Sequence, residues 1–163
     1  MKTLIFFITV FLLGSITFGQ TNFSGIWVLN DKEHIVGPQY ANALPTRLTI
    51  QQQADSLIIE SVNTGVEGKE TTSRHAIPMN GQPSTITSLT SKRKYVRSLN
   101  WAEDKKVLTI TVIFYLPDKP DMVDLTRVET WNLLPDGAHL SIGKKSIEKH
   151  SETWEVKGMY NRR

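Results

Sequence analysis

The chain has 163 residues, contains no cysteine and carries a formal net charge of +3 at pH 7. The absence of cysteine excludes a fold held together by disulfides, so the domain must depend on its hydrophobic core. A net charge this small, with acidic and basic residues interspersed, does not favour nucleic acid as a partner.

The segment 1–19 is predicted to be a signal peptide. A lysine near its start precedes an apolar run that ends at Phe18 among small residues. The run is shorter than the roughly 20 apolar residues that span a bilayer, and Gly14 already interrupts it. We therefore expect cleavage after Gly19, a secreted or periplasmic protein without stable membrane insertion, and one mature domain over 20–163. An uncleaved membrane anchor is the alternative.

The mature chain alternates polar and apolar residues over short runs and has no long amphipathic helical pattern. Alternation with a period of two indicates strands that turn one face to a core and the other to water. The sequence therefore predicts an all-β fold, a single antiparallel up-and-down β-barrel of about 8–10 strands. The strand-like runs fall near 24–30, 46–52, 56–63, 68–77, 84–90, 93–101, 106–115, 124–134, 138–146 and 150–160.

Two stretches interrupt this pattern. Segment 31–45 is a long connection in which a short helix or a lid could form. Prolines at 117 and 120 mark the second break, because two prolines do not fit into a central strand.

A two-residue hairpin turn is predicted at 136–137, because Asp and Gly tolerate the positive φ that both central positions need. This register pairs Trp131 with Ile142. The same alternation turns Arg127 and Glu129 toward the interior.

A second hairpin is predicted around 104–105 and pairs Trp101 with Leu108. Lengthening this loop by one residue on each side leaves the pairing parity unchanged. The inward face of the two strands then carries Arg93, Tyr95, Arg97, Val112 and Phe114. In the last predicted strand, near 150–160, the same alternation turns Glu152 and His150 inward.

The predicted interior therefore contains several charged side chains, which must pair, meet water or hold a ligand. One interpretation is that they lie at wet strand ends and pair with one another. The other is a lumen in which arginine binds the acidic group of a small molecule. The candidate lumen residues are Arg93, Tyr95, Arg97, Trp101, Phe114, Arg127, Glu129, Trp131 and Glu152.

Other chemistry has weaker support in the sequence. Glu148, His150 and Glu152 would share a strand face, but this spacing is common at solvated strand ends. Asp136 and His139 flank one turn, and no serine lies in a strained nucleophile-like elbow that would complete a triad with them. We predict no catalytic residue, no metal site and no cofactor.

The string Phe23-Ser24-Gly25-Ile26-Trp27 resembles the Gly-x-Trp entry motif of lipocalins and their calycin relatives. Together with 24–30, 48–52 and the 136–137 turn, it is similar to lipocalin-like barrels that bacteria secrete. The resemblance implies that Phe23, Gly25 and Trp27 close one barrel end. It also implies that an arginine near the C-terminus, Arg162 or Arg163, packs beside the tryptophan.

The expected function is non-covalent binding of a small hydrophobic or amphipathic ligand, including an anionic one, in the barrel lumen. A cell-envelope or extracellular interaction protein with a filled core is the alternative, and a barrel-cavity enzyme is the third. A cavity above roughly 300 Å³ favours binding, whereas a filled core beneath an exposed apolar patch favours interaction. Catalysis would require titratable groups whose pKa values are pushed apart. The sequence indicates no particular protein partner.

Overall fold

The computed structural model describes residues 19–36, 42–65, 68–88 and 91–163, except for the side chain of His34. The predicted signal peptide lies outside this part of the chain apart from Gly19, and its cleavage stays a prediction. Within the same ranges, no helix has the length and apolar character needed to cross a membrane.

Ten β-strands make up most of the described chain, as alternation of polar and apolar residues predicts. They are β1 (Gly25–Val36), β2 (Arg47–Gln52), β3 (Ser56–Thr64), β4 (Glu70–Pro78), β5 (Ser84–Thr87), β6 (Lys94–Trp101), β7 (Val107–Leu116), β8 (Lys119–Leu133), β9 (His139–Glu148) and β10 (Trp154–Arg162).

The strands form one antiparallel sheet in the order β4-β3-β2-β1-β10-β9-β8-β7-β6-β5. Pairing of the first strand, β1, with the last, β10, curls the sheet into a nearly closed barrel. The barrel stays open between β4 and β5, which are not paired with each other. The predicted all-β, up-and-down architecture is confirmed, with ten strands.

Strand β1 is longer than its pattern suggests, and the expected helix or lid is wrong for residues 31–36. The register with β10 shifts between Leu29 and Asp31, and again between Lys32 and His34. Each irregularity shifts the alternation of polar and apolar residues by one position. The strand therefore continues although its sequence does not show the regular alternation of a strand. Residues 42–46 form an irregular connection, and 37–41 lie outside the described residues.

The predicted break at the two prolines is a tight hairpin. Leu116 pairs with Lys119, whereas Tyr115 already pairs with Val123. Pro120 therefore lies in an irregular stretch of β8 where no ladder hydrogen bond is required of it.

The hairpin between β8 and β9 has the predicted register but a longer turn. Trp131 pairs with Ile142, and the Leu134 amide donates to the His139 carbonyl at 2.9 Å. Within the turn residues 135–138, Gly137 alone has a positive φ, of 67°. The predicted two-residue turn is therefore wrong, but extending it by one residue on each side preserves which side chains face inward.

The β6–β7 hairpin repeats this geometry. The Ala102 amide donates to the Val107 carbonyl at 2.9 Å, and Lys105 has a φ of 56°. The predicted pairing of Trp101 with Leu108 is confirmed. Both hairpins lie at one end of the barrel, which is here called the closed end.

Aromatic side chains fill the closed end. Phe23 is fully buried; its ring stacks on Trp101 at 5.7 Å and meets Trp131 edge-on at 5.9 Å. The fully buried Trp27 donates its indole N–H to the Phe23 carbonyl at 2.9 Å. The Arg162 guanidinium lies 4.6 Å from the Trp27 ring centre, so Arg162 and not Arg163 is the neighbouring arginine.

Gly25 begins β1 with a φ of +147°, a conformation that residues with a Cβ rarely adopt. A Cβ at this position would lie 3.6 Å from Nε1 of Trp27, which is ordinary contact. Backbone conformation, and not lack of space, therefore favours glycine here.

Candidate ligand-binding cavity

The inner face of the barrel encloses a cavity of about 630 Å³. It reaches the end opposite the aromatic plug, which is here called the mouth and is lined by residues of segments 42–45 and 91–93 and by Ser88. The lining includes Asn42, Leu44, Ser88 and Ser91 from this end.

A row of paired residues crosses the cavity wall on three adjacent strands. Arg97 on β6 pairs with Val112 on β7, which pairs with Arg127 on β8. Neighbouring strands are about 4.8 Å apart, so the backbones of the two arginines are separated by roughly 10 Å. All three residues line the cavity, and the two guanidinium groups therefore share one wall.

Arg97 is buried, with 9% of its surface exposed. Its Nη1 is a buried atom without a hydrogen-bond partner among the described residues. Its guanidinium lies 5.5 Å from the Tyr95 ring centre. Burial lowers the pKa of Arg97, while Tyr95 and Glu129 act in the opposite direction.

Arg127 is only partly buried, but its guanidinium group also has a buried atom without a hydrogen-bond partner in the described part of the chain. This atom is Nε. The guanidinium contacts the rings of Phe114 at 5.0 Å and Trp154 at 5.9 Å. Burial lowers the pKa of Arg127; the charge of Glu148 raises it and that of Arg93 lowers it further.

Arg93, in contrast, already has a carboxylate partner. It forms an ion pair with Asp124 and donates through Nε to the Tyr115 carbonyl at 2.9 Å. Its guanidinium lies 5.1 Å from the Phe114 ring centre, so Arg93 and Arg127 both contact this phenyl ring. Tyr95 packs against the same ring, with centroids 5.6 Å apart.

Glu129 is held by Lys144 from the neighbouring strand. The Lys144 Nζ lies 3.1 Å from Glu129 Oε1, and the Trp131 indole N–H donates to Oε2 at 3.3 Å. Burial alone would raise the pKa of Glu129, but the charge and hydrogen bond of Lys144, the Trp131 hydrogen bond and the charge of Arg97 together lower it. Glu129 is therefore ionised at neutral pH.

Glu148 is the second cavity carboxylate, at the mouth end of β9. It accepts hydrogen bonds from the Ser151 hydroxyl at 2.6 Å, the Ser146 hydroxyl at 3.0 Å and the Trp154 indole at 3.0 Å. These bonds, that of Ser151 above all, and the charge of Arg127 lower the pKa of Glu148 despite opposing burial.

The charges of the lining do not cancel. Four cationic side chains and two carboxylates line the cavity, and Asp124 neutralises one of the cations. His75 also lines it, and burial and the charge of Arg97 lower its pKa, so His75 is neutral at pH 7. The lining therefore keeps one net positive charge. Two of its guanidinium groups, those of Arg97 and Arg127, form no ion pair with any described residue.

Seven of the nine predicted lumen residues line the cavity: Arg93, Tyr95, Arg97, Phe114, Arg127, Glu129 and Trp131. Trp101 does not line the cavity. Alternation predicts which face of the sheet a side chain is on, but not how far along the barrel axis it lies. Trp101 lies in the same row as Leu108 and Trp131 at the closed end, where its ring packs on Phe23.

Glu152 is exposed, and the prediction that it points inward is wrong. Strand β10 begins only at Trp154, so the alternation of that strand does not extend back to 152. His150 is exposed in the same loop. The inward acid at this end is instead Glu148, for which the sequence predicts only a place on a solvated strand end with His150 and Glu152.

Several lining residues were missed although the register could have found them. Lys144 and Glu148 follow Ile142 at intervals of two on β9. Polar residues on β3, β4 and the connections at the mouth were not predicted to line the lumen: Ser61, Asn63, Ser73, His75, Ser88, Ser91 and Asn42.

Within the four described ranges, no cluster of three or more His, Cys, Asp or Glu residues could hold a metal ion. Asp136 and His139 contact each other, with Oδ2 and Nδ1 2.5 Å apart. Their turn is at the closed end, away from the cavity.

No protein-family model matches this chain, and no curated protein matches it in sequence. The nearly closed barrel is compatible with a lipocalin-like fold.

Proposed function

We propose that this protein is a secreted, non-catalytic binding protein of the lipocalin-like, calycin type that holds one small amphipathic acid in its barrel lumen. The supporting observation is the pair Arg97 and Arg127. Both line the cavity, and neither forms a hydrogen bond or an ion pair with a described residue. A buried cation without such partners is costly, and an anionic ligand would offset that cost.

The guanidinium group suits this role because its planar donors match the oxygens of a carboxylate or a sulfonate. Aromatic rings beside each arginine keep the guanidinium in place without consuming its N–H donors. The cavity volume of about 630 Å³ lies within the range of roughly 300 to 1,000 Å³ that is usual for small-molecule sites, which favours binding over a filled, purely structural core.

The carboxylates favour binding over acid–base catalysis. Glu129 and Glu148 both have lowered pKa values. A general acid at neutral pH requires a raised carboxyl pKa, and neither group has one.

The test uses two fluorescent probes that differ by one charge, 1-anilinonaphthalene-8-sulfonate and neutral N-phenyl-1-naphthylamine. We expect wild-type protein to bind one sulfonate probe per chain. Arg97→Gln and Arg127→Gln should each weaken sulfonate binding about tenfold, the effect of roughly 1.4 kcal/mol. Binding of the neutral probe should change little. Arg74→Gln is the matched control, because Arg74 is exposed on β4.

Absence of saturable sulfonate binding, or equal losses for both probes, would contradict the proposal. A denaturant titration of ligand-free Arg97→Gln adds a second readout. Since no ion pair with a described residue is lost, we expect a free energy of unfolding within about 1 kcal/mol of wild type. A loss of roughly 3 to 5 kcal/mol would instead assign Arg97 a structural role.

A further inference from the structure

The cavity has a second wall with a different chemistry. Ser61 on β3 and Ser73 on β4 pair across the sheet, and both line the cavity with Asn63. The side chains of these three residues form no hydrogen bond with any residue that the structure describes. Ser61 is nevertheless buried, with 9% of its surface exposed. This wall therefore presents free hydroxyl and amide groups to the lumen.

The polar groups occupy the half of the cavity near the mouth. Along β3 the inward residues change from Leu57 and Ile59 to Ser61 and Asn63 as the strand approaches this end. Strand β4 has the same gradient. The buried Ile77 pairs with Leu57 at the apolar end of β3, whereas Ser73 pairs with Ser61 nearer the mouth. On these two strands, the apolar lining is thus concentrated toward the closed end.

The floor leaves little depth for a hydrocarbon chain. Trp131 lines the bottom of the cavity and is four residues from Arg127 on β8. Four residues of strand correspond to roughly 13 Å, part of which the tryptophan ring fills. A long chain anchored at the arginines would have to extend toward the mouth. Phe114 and Trp154 line one wall there, but the chain would cover Ser61, Ser73 and Asn63 on the other wall without offering them hydrogen bonds.

From this arrangement we propose that the ligand is a hydroxylated acid joined to a short apolar group, with the chemistry of an aryl glycosiduronate. This rests on the proposed function and specifies its ligand class. The apolar group lies on the floor, the carboxylate contacts Arg97 and Arg127, and the hydroxyl groups bond to the polar wall of Ser61, Asn63 and Ser73.

Three probes separate the contributions of charge and hydroxyl groups. Phenyl β-D-glucuronide has both, phenyl β-D-glucoside lacks the carboxylate, and 3-phenylpropanoate lacks the sugar hydroxyls. In calorimetric titrations we expect the glucuronide to bind at least about tenfold more tightly than either analogue, because each analogue leaves buried polar groups unpaired.

The double variant Ser61→Ala, Ser73→Ala should weaken glucuronide binding at least about fivefold and leave 3-phenylpropanoate binding unchanged. Ser98→Ala is the control; Ser98 lies between the inward residues Arg97 and Leu99 on β6 and faces outward. A lower denaturation midpoint of the double variant would show that its loss of glucuronide binding comes from misfolding. The single variants Ser61→Ala and Ser73→Ala would then be tested in its place.

The outcomes distinguish this inference from the proposed function. If 3-phenylpropanoate binds as tightly as the glucuronide, or if the serine variants bind the glucuronide as tightly as wild type does, the hydroxyl inference is wrong and anion binding stands. If the glucoside binds as tightly as the glucuronide, recognition of the anion fails, and the proposed function with it. If none of the three binds, this ligand class is overturned, while the naphthalene probes still decide whether the lumen takes an anion.

Discussion

Trp27→Ala is expected to lower the free energy of unfolding by roughly 3 to 5 kcal/mol, the usual cost of truncating a large buried aromatic side chain. Trp27 is fully buried, and its indole N–H bonds to the Phe23 carbonyl. Removal of the ring would leave that carbonyl without its donor and Arg162 without the ring beside it.

Urea denaturation followed by far-ultraviolet circular dichroism measures this loss. Ile26→Ala is the matched control, because Ile26 is adjacent in β1 but 44% exposed; a surface change of this kind is expected to cost under about 1 kcal/mol. A Trp27→Ala protein with an unchanged midpoint would show that this end of the barrel does not stabilise the fold.

Lys144→Met is expected to cost roughly 2 to 4 kcal/mol at pH 7, because it leaves the Glu129 carboxylate without its ion-pair partner. The figure is near the lower end for a buried pair, since Arg97 is nearby and the cavity can admit water. Lys157→Met is the control: the Lys157–Glu33 pair is half exposed, and exposed pairs contribute at most about 1 kcal/mol.

The pH dependence follows from the lowered pKa of Glu129. In wild type, its stabilising contribution is present above the ordinary carboxyl pKa and is lost as the pH falls through the lower, folded-state value. Lys144→Met removes the largest opposing interaction, and Trp131 and Arg97 remain. The pKa of Glu129 is therefore expected to be higher in the variant than in wild type, and the cost to be greatest at neutral pH. Denaturation at pH 7 and pH 4 should therefore show a smaller difference between variant and wild type at pH 4. An equal or larger difference at pH 4 would contradict this account of the pair.

The strand pattern and the inward orientation of the arginines could be predicted because both depend on local rules. Alternation has a period of two, and a hairpin turn fixes the parity of both strands that it joins. The register therefore placed Arg97 and Arg127 on the inner face even though the 136–137 turn is longer than predicted.

Depth and strand ends could not be predicted in this way. Trp101 and Arg97 lie on the same face of β6, but one packs in the closed end and the other lines the cavity. Glu152 was assigned by alternation to a strand that begins two residues later. The continuation of β1 past Asp31 was hidden by register shifts, which depend on pairing with β10 and leave no simple pattern in the sequence.

The central claim is that Arg97 and Arg127 hold an acid in the lumen, and native mass spectrometry tests it most directly. Protein purified from the organism that makes it should carry one acidic molecule per chain. The Arg97→Gln, Arg127→Gln double variant, purified in the same way, should lack this molecule, whereas Arg74→Gln should retain it. A wild-type protein without bound mass, or a double variant that retains the same molecule, would contradict the claim.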